Sequence, residues 1–152
     1  MNTAHLHLII NHLPLFGFVF SLLLLSGGLI FKNKSIVNVS LIAFVVTGLL
    51  TLPAFFTGVG AEDVLLKVAP ESKSFIHYHE ESAKLSMILS ILLATISLII
   101  LFINRKSDIK FLYYLMLVFT LIVIISLVET NYLGGKIRHS EIRNIESIDI
   151  QE

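Results

Sequence analysis

The chain has 152 residues with 11 basic and 11 acidic side chains, and charged residues make up only 14% of the sequence. Soluble domains usually carry about 25% charged residues, so the composition excludes a soluble globule. The formal net charge of zero leaves no basic surface for nucleic acid. The absence of cysteine excludes disulfides, thiolate catalysis, cysteine-held iron–sulfur clusters and covalently attached c-type haem.

Uncharged, strongly apolar runs divide the sequence into four spans. Each run can hold the ~20 apolar residues that cross a bilayer as a helix. The runs comprise residues 1–31, 35–61, 85–104 and 111–128. The sequence therefore predicts an all-α integral membrane protein. The partner that its composition indicates is the lipid bilayer. We expect an antiparallel four-helix bundle over residues 1–133, followed by an outward-facing C-terminal tail over residues 134–152.

The predicted helices cover residues 5–31, 36–56, 75–103 and 109–133, in chain order. Pro14 lies inside the first helix, where its missing N–H predicts a kink. Gly58 and Gly60 predict that the second helix gives way to a loop over residues 57–74. Gly134 and Gly135 predict the end of the fourth helix.

The charges between the spans indicate the orientation of the bundle in the membrane. The link between the first two helices holds Lys32 and Lys34, and the link between the last two helices is also basic. The segment that joins helices two and three is acidic instead. Its acidic residues are Glu62, Asp63, Glu71, Glu80 and Glu81. We therefore expect both basic links inside the cell, and both termini and the acidic segment outside.

All six histidines then fall at the outer end of the bundle. Counted from the inner helix ends at ~1.5 Å per residue, His7 and His79 should lie at the same depth. His12 and Glu129 should form a second level ~8 Å deeper, with Asn11 beside them. Ionisable groups within a span are rare and usually mark a functional site. The remaining histidines of this end are His5, His77 and His139.

Two short motifs at the ends of the chain resemble those of a bacterial family. The segment HLIINHLP, residues 7–14, is similar to the HPxxVHFP-like start of a little-characterised family of four-helix membrane domains, although proline does not follow the first histidine here. The segment GGKIRH, residues 134–139, resembles that family's closing GGxLVxxH-like signature with one residue fewer before the histidine. His79 lies where the family also places a histidine.

This resemblance implies a multi-pass protein of the bacterial inner (cytoplasmic) membrane. It implies that the site histidines are His7, His12, His79 and His139. Some family members look fused to Rieske or cytochrome-type domains, which implies a redox partner or a larger respiratory complex.

Electron transfer through b-type haem is the first function that fits these residues. Haem without cysteine takes axial histidines, and a helical bundle can supply them from two helices. We expect His12 and His79 as the first ligand pair, with His7 and His139 as the next candidates. Stripes of small residues on the first and third helices could admit a flat ring, although close helix packing is their commoner use.

Three further residues are assigned to the haem site. Arg138 in the tail could pair with a haem propionate. Asn11 or Glu129 could accept the second ring N–H of a ligand histidine and so fix its orientation.

Two alternatives remain open at this point. The same four histidines, with Glu80 or Glu129, could hold zinc, copper or iron as a non-haem metal site. The chain could instead be a non-catalytic accessory subunit, or a bundle whose histidines titrate near neutral pH and sense protons. No hydrolase triad and no phosphate-binding glycine loop stands out, so we do not expect independent enzymatic activity.

The expected topology can be tested by cysteine labelling, because the chain has no cysteine of its own. Single cysteines at Lys34 and Ser72 should react with a membrane-impermeant reagent from opposite sides of sealed vesicles. Labelling of both positions from the same side would refute the topology.

Overall fold

A computed structural model describes residues 2–68, 72–103 and 110–138, without the side chains of residues 68 and 138. These residues are helical almost throughout, and none of those described forms a strand. The helices are α1 (Thr3–Ile10), α2 (Leu13–Ile30), α3 (Lys34–Val68), α4 (Lys73–Ile103) and α5 (Lys110–Arg138).

Near Pro14, where the sequence predicts a kink, the helix is interrupted between α1 and α2, while Asn11 and His12 keep helical backbone angles. The backbone N–H of Asn11 closes α1 on the carbonyl of His7, at 2.9 Å. His12 then begins α2 as its N-cap, with proline in the first turn. Proline is favoured there because the first N–H groups of a helix have no intrahelical partner. Together α1 and α2 form the first span.

The loop predicted over residues 57–74 is wrong for its first part, because α3 continues to Val68. Gly58 and Gly60 face α1 rather than ending the helix. The Thr3 hydroxyl donates to the carbonyl of Gly60 at 2.8 Å. Glycine costs about 1 kcal/mol within a helix, and here packing against α1 offsets that cost.

The fourth predicted helix is also longer than expected. α5 runs through Gly134 and Gly135 and reaches Arg138. Gly134 packs against the ring of His79, so here too the glycine serves a contact between helices. The boundary predicted after residue 133 therefore falls inside a helix, and residues 139–152 lie outside the described part of the chain.

The helices form the predicted four-helix bundle, in which each long helix packs against two neighbours. α2 packs on α3, α3 on α4, α4 on α5, and α5 closes the ring on α2, while α1 packs on α3. α2 and α4 are therefore diagonally opposite, as are α3 and α5. The largest fully buried apolar side chains lie at the centre, and they are Phe18, Leu25, Leu41, Phe44, Leu93, Met116 and Val123.

Four helical segments are long and apolar enough to cross a membrane, as the composition predicts. They are Thr3–Ile30, Lys34–Lys67, Lys73–Ile103 and Lys110–Ile137. Many large apolar side chains lie on the outside of the bundle, where a bilayer would cover them. Ser72, proposed above for labelling, is buried, so exposed Lys67 is the accessible position for a cysteine at that end.

The small-residue stripes serve helix packing in the structure. A Cβ atom built on Gly17 would lie 2.6 Å from the Thr47 side chain, and one on Gly28 would lie 2.8 Å from that of Val37. Small residues allow helix backbones to approach this closely in lipid. These stripes therefore bring helices together and leave no gap for a flat ring at those positions.

Gly48→Ala should destabilise the bundle, whereas Gly27→Ala should not. A Cβ on Gly48 would overlap the Cβ of Ala94 and lie 3.0 Å from the carbonyl oxygen of Ser90. Such overpacking costs typically ~1–3 kcal/mol. Gly27 has nothing within 4 Å of the same atom, so alanine there should be neutral or slightly stabilising. Thermal unfolding in detergent, followed by circular dichroism, measures both. Equal unfolding temperatures for the two variants would contradict this packing.

Candidate functional site

Two histidines from diagonally opposite helices meet at one end of the bundle. His7 lies on α1, which extends the first span, and His79 lies in the second turn of α4. Their ring centroids are 6.4 Å apart and their planes are inclined by 75°. This contact limits any difference in depth between the two rings to 6.4 Å, which agrees with the prediction that they lie at a similar depth.

The orientation of His7 is fixed by α3. Its Nδ1 atom lies 3.0 Å from the carbonyl oxygen of Ala54 and 3.3 Å from the hydroxyl of Thr57. A carbonyl oxygen only accepts hydrogen bonds, so Nδ1 carries the proton and donates it. In the neutral ring, Nε2 therefore keeps a free lone pair, which is the atom that a metal ion would bind.

The orientation of His79 is fixed in the same way by α5. Its Nδ1 atom lies 2.9 Å from the carbonyl oxygen of Thr130, so this nitrogen is also the donor. Nε2 of His79 is again left as the unprotonated nitrogen of the neutral ring. A metal-binding histidine usually shows this arrangement, because the second hydrogen bond fixes both its tautomer and its orientation.

A glycine follows each acceptor carbonyl by one helical turn. Gly58 is four residues after Ala54, and Gly134 is four residues after Thr130. A Cβ on either glycine would lie 3.1 Å from the Cε1 atom of the histidine ring that faces it. The helical hairpins α1–α3 and α4–α5 thus hold their histidines by the same arrangement, a repeat that is not evident in the sequence.

Hydroxyl groups between α4 and α5 support the acceptor of His79. The Thr130 hydroxyl donates to the Ser126 carbonyl at 2.9 Å and lies 2.8 Å from the hydroxyls of both Ser82 and Ser86. The Ser86 and Ser126 hydroxyls are 2.7 Å apart. Each hydroxyl has one proton, and one assignment satisfies all four: Ser82 and Ser86 donate to Thr130, and Ser126 donates to Ser86. This network holds Thr130 in place.

The spacing of the two rings excludes a direct hydrogen bond between them. Because a ring nitrogen lies about 1 Å from its ring centroid, nitrogens of these rings can approach no closer than about 4 Å, beyond the ~3 Å of a hydrogen bond. An edge-to-face contact accounts for this spacing, since such ring pairs lie about 4.5–7 Å apart. A metal ion between two nitrogens also matches it, at ~2.0–2.1 Å from each.

The deeper level predicted at His12 and Glu129 is not found inside the bundle. Both side chains are exposed. Asn11 lies at the break between α1 and α2, where its side-chain oxygen is buried without a hydrogen-bond partner. The ring N–H assigned to Asn11 or Glu129 is accepted instead by backbone carbonyls, those of Ala54 and Thr130.

The remaining candidates lie around the histidine pair or outside the described residues. His139 and the side chain of Arg138 belong to the part of the chain that the structure does not describe. Lys136 is buried, with its Nζ atom 4.7 Å from the centroid of the Tyr132 ring. Among the described residues, histidine and acidic side chains form no group of three or more that could hold a metal ion.

No protein-family model, curated protein or solved structure matches this chain. The resemblance of the two end motifs to a bacterial four-helix family therefore stays a prediction.

Gly134→Ala should disturb the orientation of His79, whereas Gly135→Ala should not. The added methyl group at position 134 would press on Cε1 of the ring and displace Nδ1 from the Thr130 carbonyl. Gly135 has nothing within 4 Å of the equivalent atom, so it is the matched control. Nitrogen-15 NMR of labelled histidine should show one protected Nδ1–H signal lost or shifted in Gly134→Ala alone. An unchanged signal would show that the ring does not depend on this glycine.

Proposed function

We propose that this chain is a small membrane electron-transfer protein that binds b-type haem between His7 and His79. The observation that carries the proposal is that each histidine donates its Nδ1–H to a backbone carbonyl. This leaves two Nε2 lone pairs, on rings from diagonally opposite helices. Bis-histidine ligation from the helices of a bundle is an established way to hold haem without cysteine.

The number of protein ligands favours haem over a bare metal ion. A porphyrin supplies four of the six ligands of iron, so two histidines complete the coordination. Zinc sites usually need three or four protein ligands, and the described residues bring two imidazoles together. A copper, zinc or iron ion held with further help from His139 is the alternative.

The protein groups have separate tasks in this site. The carbonyls of Ala54 and Thr130 fix the tautomers and make the Nε2 atoms better donors to a metal. Gly58 and Gly134 let the two rings approach α3 and α5 closely enough to reach those carbonyls. When bound, haem supplies an iron couple that takes up and releases one electron.

The proposed ligand pair differs from the pair expected from the sequence. The sequence favours His12, but its side chain is exposed, whereas His7 is partly buried and lies beside His79. His7 replaces His12 in the proposal for this reason. A redox partner or a larger respiratory complex at the outer face of a bacterial inner membrane remains part of the same proposal.

An absorption spectrum tests the proposal directly. Protein purified from cells supplied with haem should show a Soret band and, after reduction, an α band. His79→Ala and His7→Ala should each abolish or shift these bands, because either change removes a histidine that would hold the haem. His77→Ala, on the same helix as His79 but exposed, should leave them unchanged.

The outcomes separate the alternatives. Loss of the bands in His12→Ala but not in His7→Ala would restore the pair expected from the sequence. A colourless protein with a stoichiometric metal ion would replace haem by a metal site. A colourless, metal-free protein would leave an accessory subunit as the function.

A further inference from the structure

Two ionisable side chains within the membrane spans face outward. His12, at the start of α2, and Glu129, in α5, are both exposed. Neither forms an ion pair with another side chain in residues 2–68, 72–103 or 110–138. Ionisable residues within a span almost always face the bundle interior or a water-filled cavity, or pair with another polar group, because exposing them to lipid is costly. These two groups therefore require a partner that lies outside the described residues.

The two side chains lie at similar depths. The backbone carbonyl of Thr130 accepts a hydrogen bond from His79, and the ring of His79 lies beside that of His7. Glu129, which precedes Thr130, therefore lies near the level of these two histidines. His12 follows His7 by five residues, which is ~7.5 Å along a helix. Side chains lean toward the N-terminus of their helix. Since α2 and α5 are antiparallel, His12 and Glu129 lean toward each other in depth, which reduces this difference.

Each of the two side chains continues an exposed apolar row on its helix. On α5 the exposed face is broad, and one row on it, with alternating intervals of four and three, consists of Phe111, Leu115, Val118, Ile122, Ile125, Glu129 and Tyr132. Tyr114, Leu121 and Val128 are exposed beside this row. On α2 the same intervals separate His12, Phe16, Val19 and Leu23. This spacing is typical of a contact between helices. The two helices pack on each other, so both rows belong to neighbouring helices.

We propose that the α2–α5 face binds a second copy of this chain, with His12 of each copy hydrogen-bonded to Glu129 of the other. A twofold axis along the membrane normal keeps both copies in the same orientation and leaves depths unchanged. His12 of one copy then meets Glu129 of the other, and Glu129 of the first copy meets His12 of the second, so two equal pairs form. A second copy is favoured over another protein because the chain itself supplies both groups. The proposal does not depend on haem.

Native mass spectrometry of the full chain in detergent measures the dimer. The wild-type protein should be dimeric. His12→Ala and Glu129→Ala should each weaken the dimer roughly tenfold, because each change removes both pairs. The double variant should be no weaker than either single variant, since all three lack the same interaction. The exchange variant, with His12→Glu and Glu129→His together, should recover the dimer.

Cross-linking tests the contact itself. Two differently tagged copies, one with His12→Cys and the other with Glu129→Cys, should form a disulfide in membranes when co-expressed, because the chain has no other cysteine. Glu81→Ala removes an exposed carboxylate from α4 and should leave the dimer unchanged. A monomeric wild-type protein, a dimer insensitive to both alanine variants, or a complex with a different protein at this face would overturn the proposal.

Discussion

The hydrogen bond from each histidine Nδ1–H to a backbone carbonyl of a neighbouring helix is the constraint on which the site depends. A ring N–H within an apolar span needs an acceptor, and a helix carbonyl still has a second lone pair for it. The ring must approach the helix backbone to reach that carbonyl, and a side chain one turn further along would crowd it. Gly58 and Gly134 meet this requirement, and α3 and α5 remain helical through both residues.

The sequence predicts the parts of the fold that depend on composition and on single-residue geometry. Uncharged runs predict the four spans, Pro14 predicts the helix break, and residue counting predicts that His7 and His79 are level. It does not predict the lengths of α3 and α5, because glycine is typical both of a helix end and of close packing within a helix. Only the neighbouring helix decides between these uses. The carbonyl acceptors of the two histidines cannot be predicted from the sequence either, because every residue type has a backbone carbonyl.

The two halves of the site differ in how firmly they are held. α4 and α5 are joined by hydroxyls that cross from one helix to the other beside His79. α1 has eight residues and none is buried, and the break at Asn11 separates it from the rest of the first span. Its position depends on the bonds of Thr3 and His7 to α3. Segments with so few buried contacts open at low free energy, so α1 is the part of the site that a bound group would stabilise most.

The direction of the hydroxyl hydrogen bonds distinguishes the two ends of the bundle. Deeper in the interior, Ser97 and Thr120 donate to carbonyls of their own helices. Such bonds satisfy a buried hydroxyl whichever neighbour packs against it, so they specify no particular partner. At the histidine end, Ser86 bonds to hydroxyls of α5 instead, and a polar contact between helices requires a particular register. Polar specificity is therefore concentrated around His79, while small and apolar side chains hold the rest of the bundle by close packing.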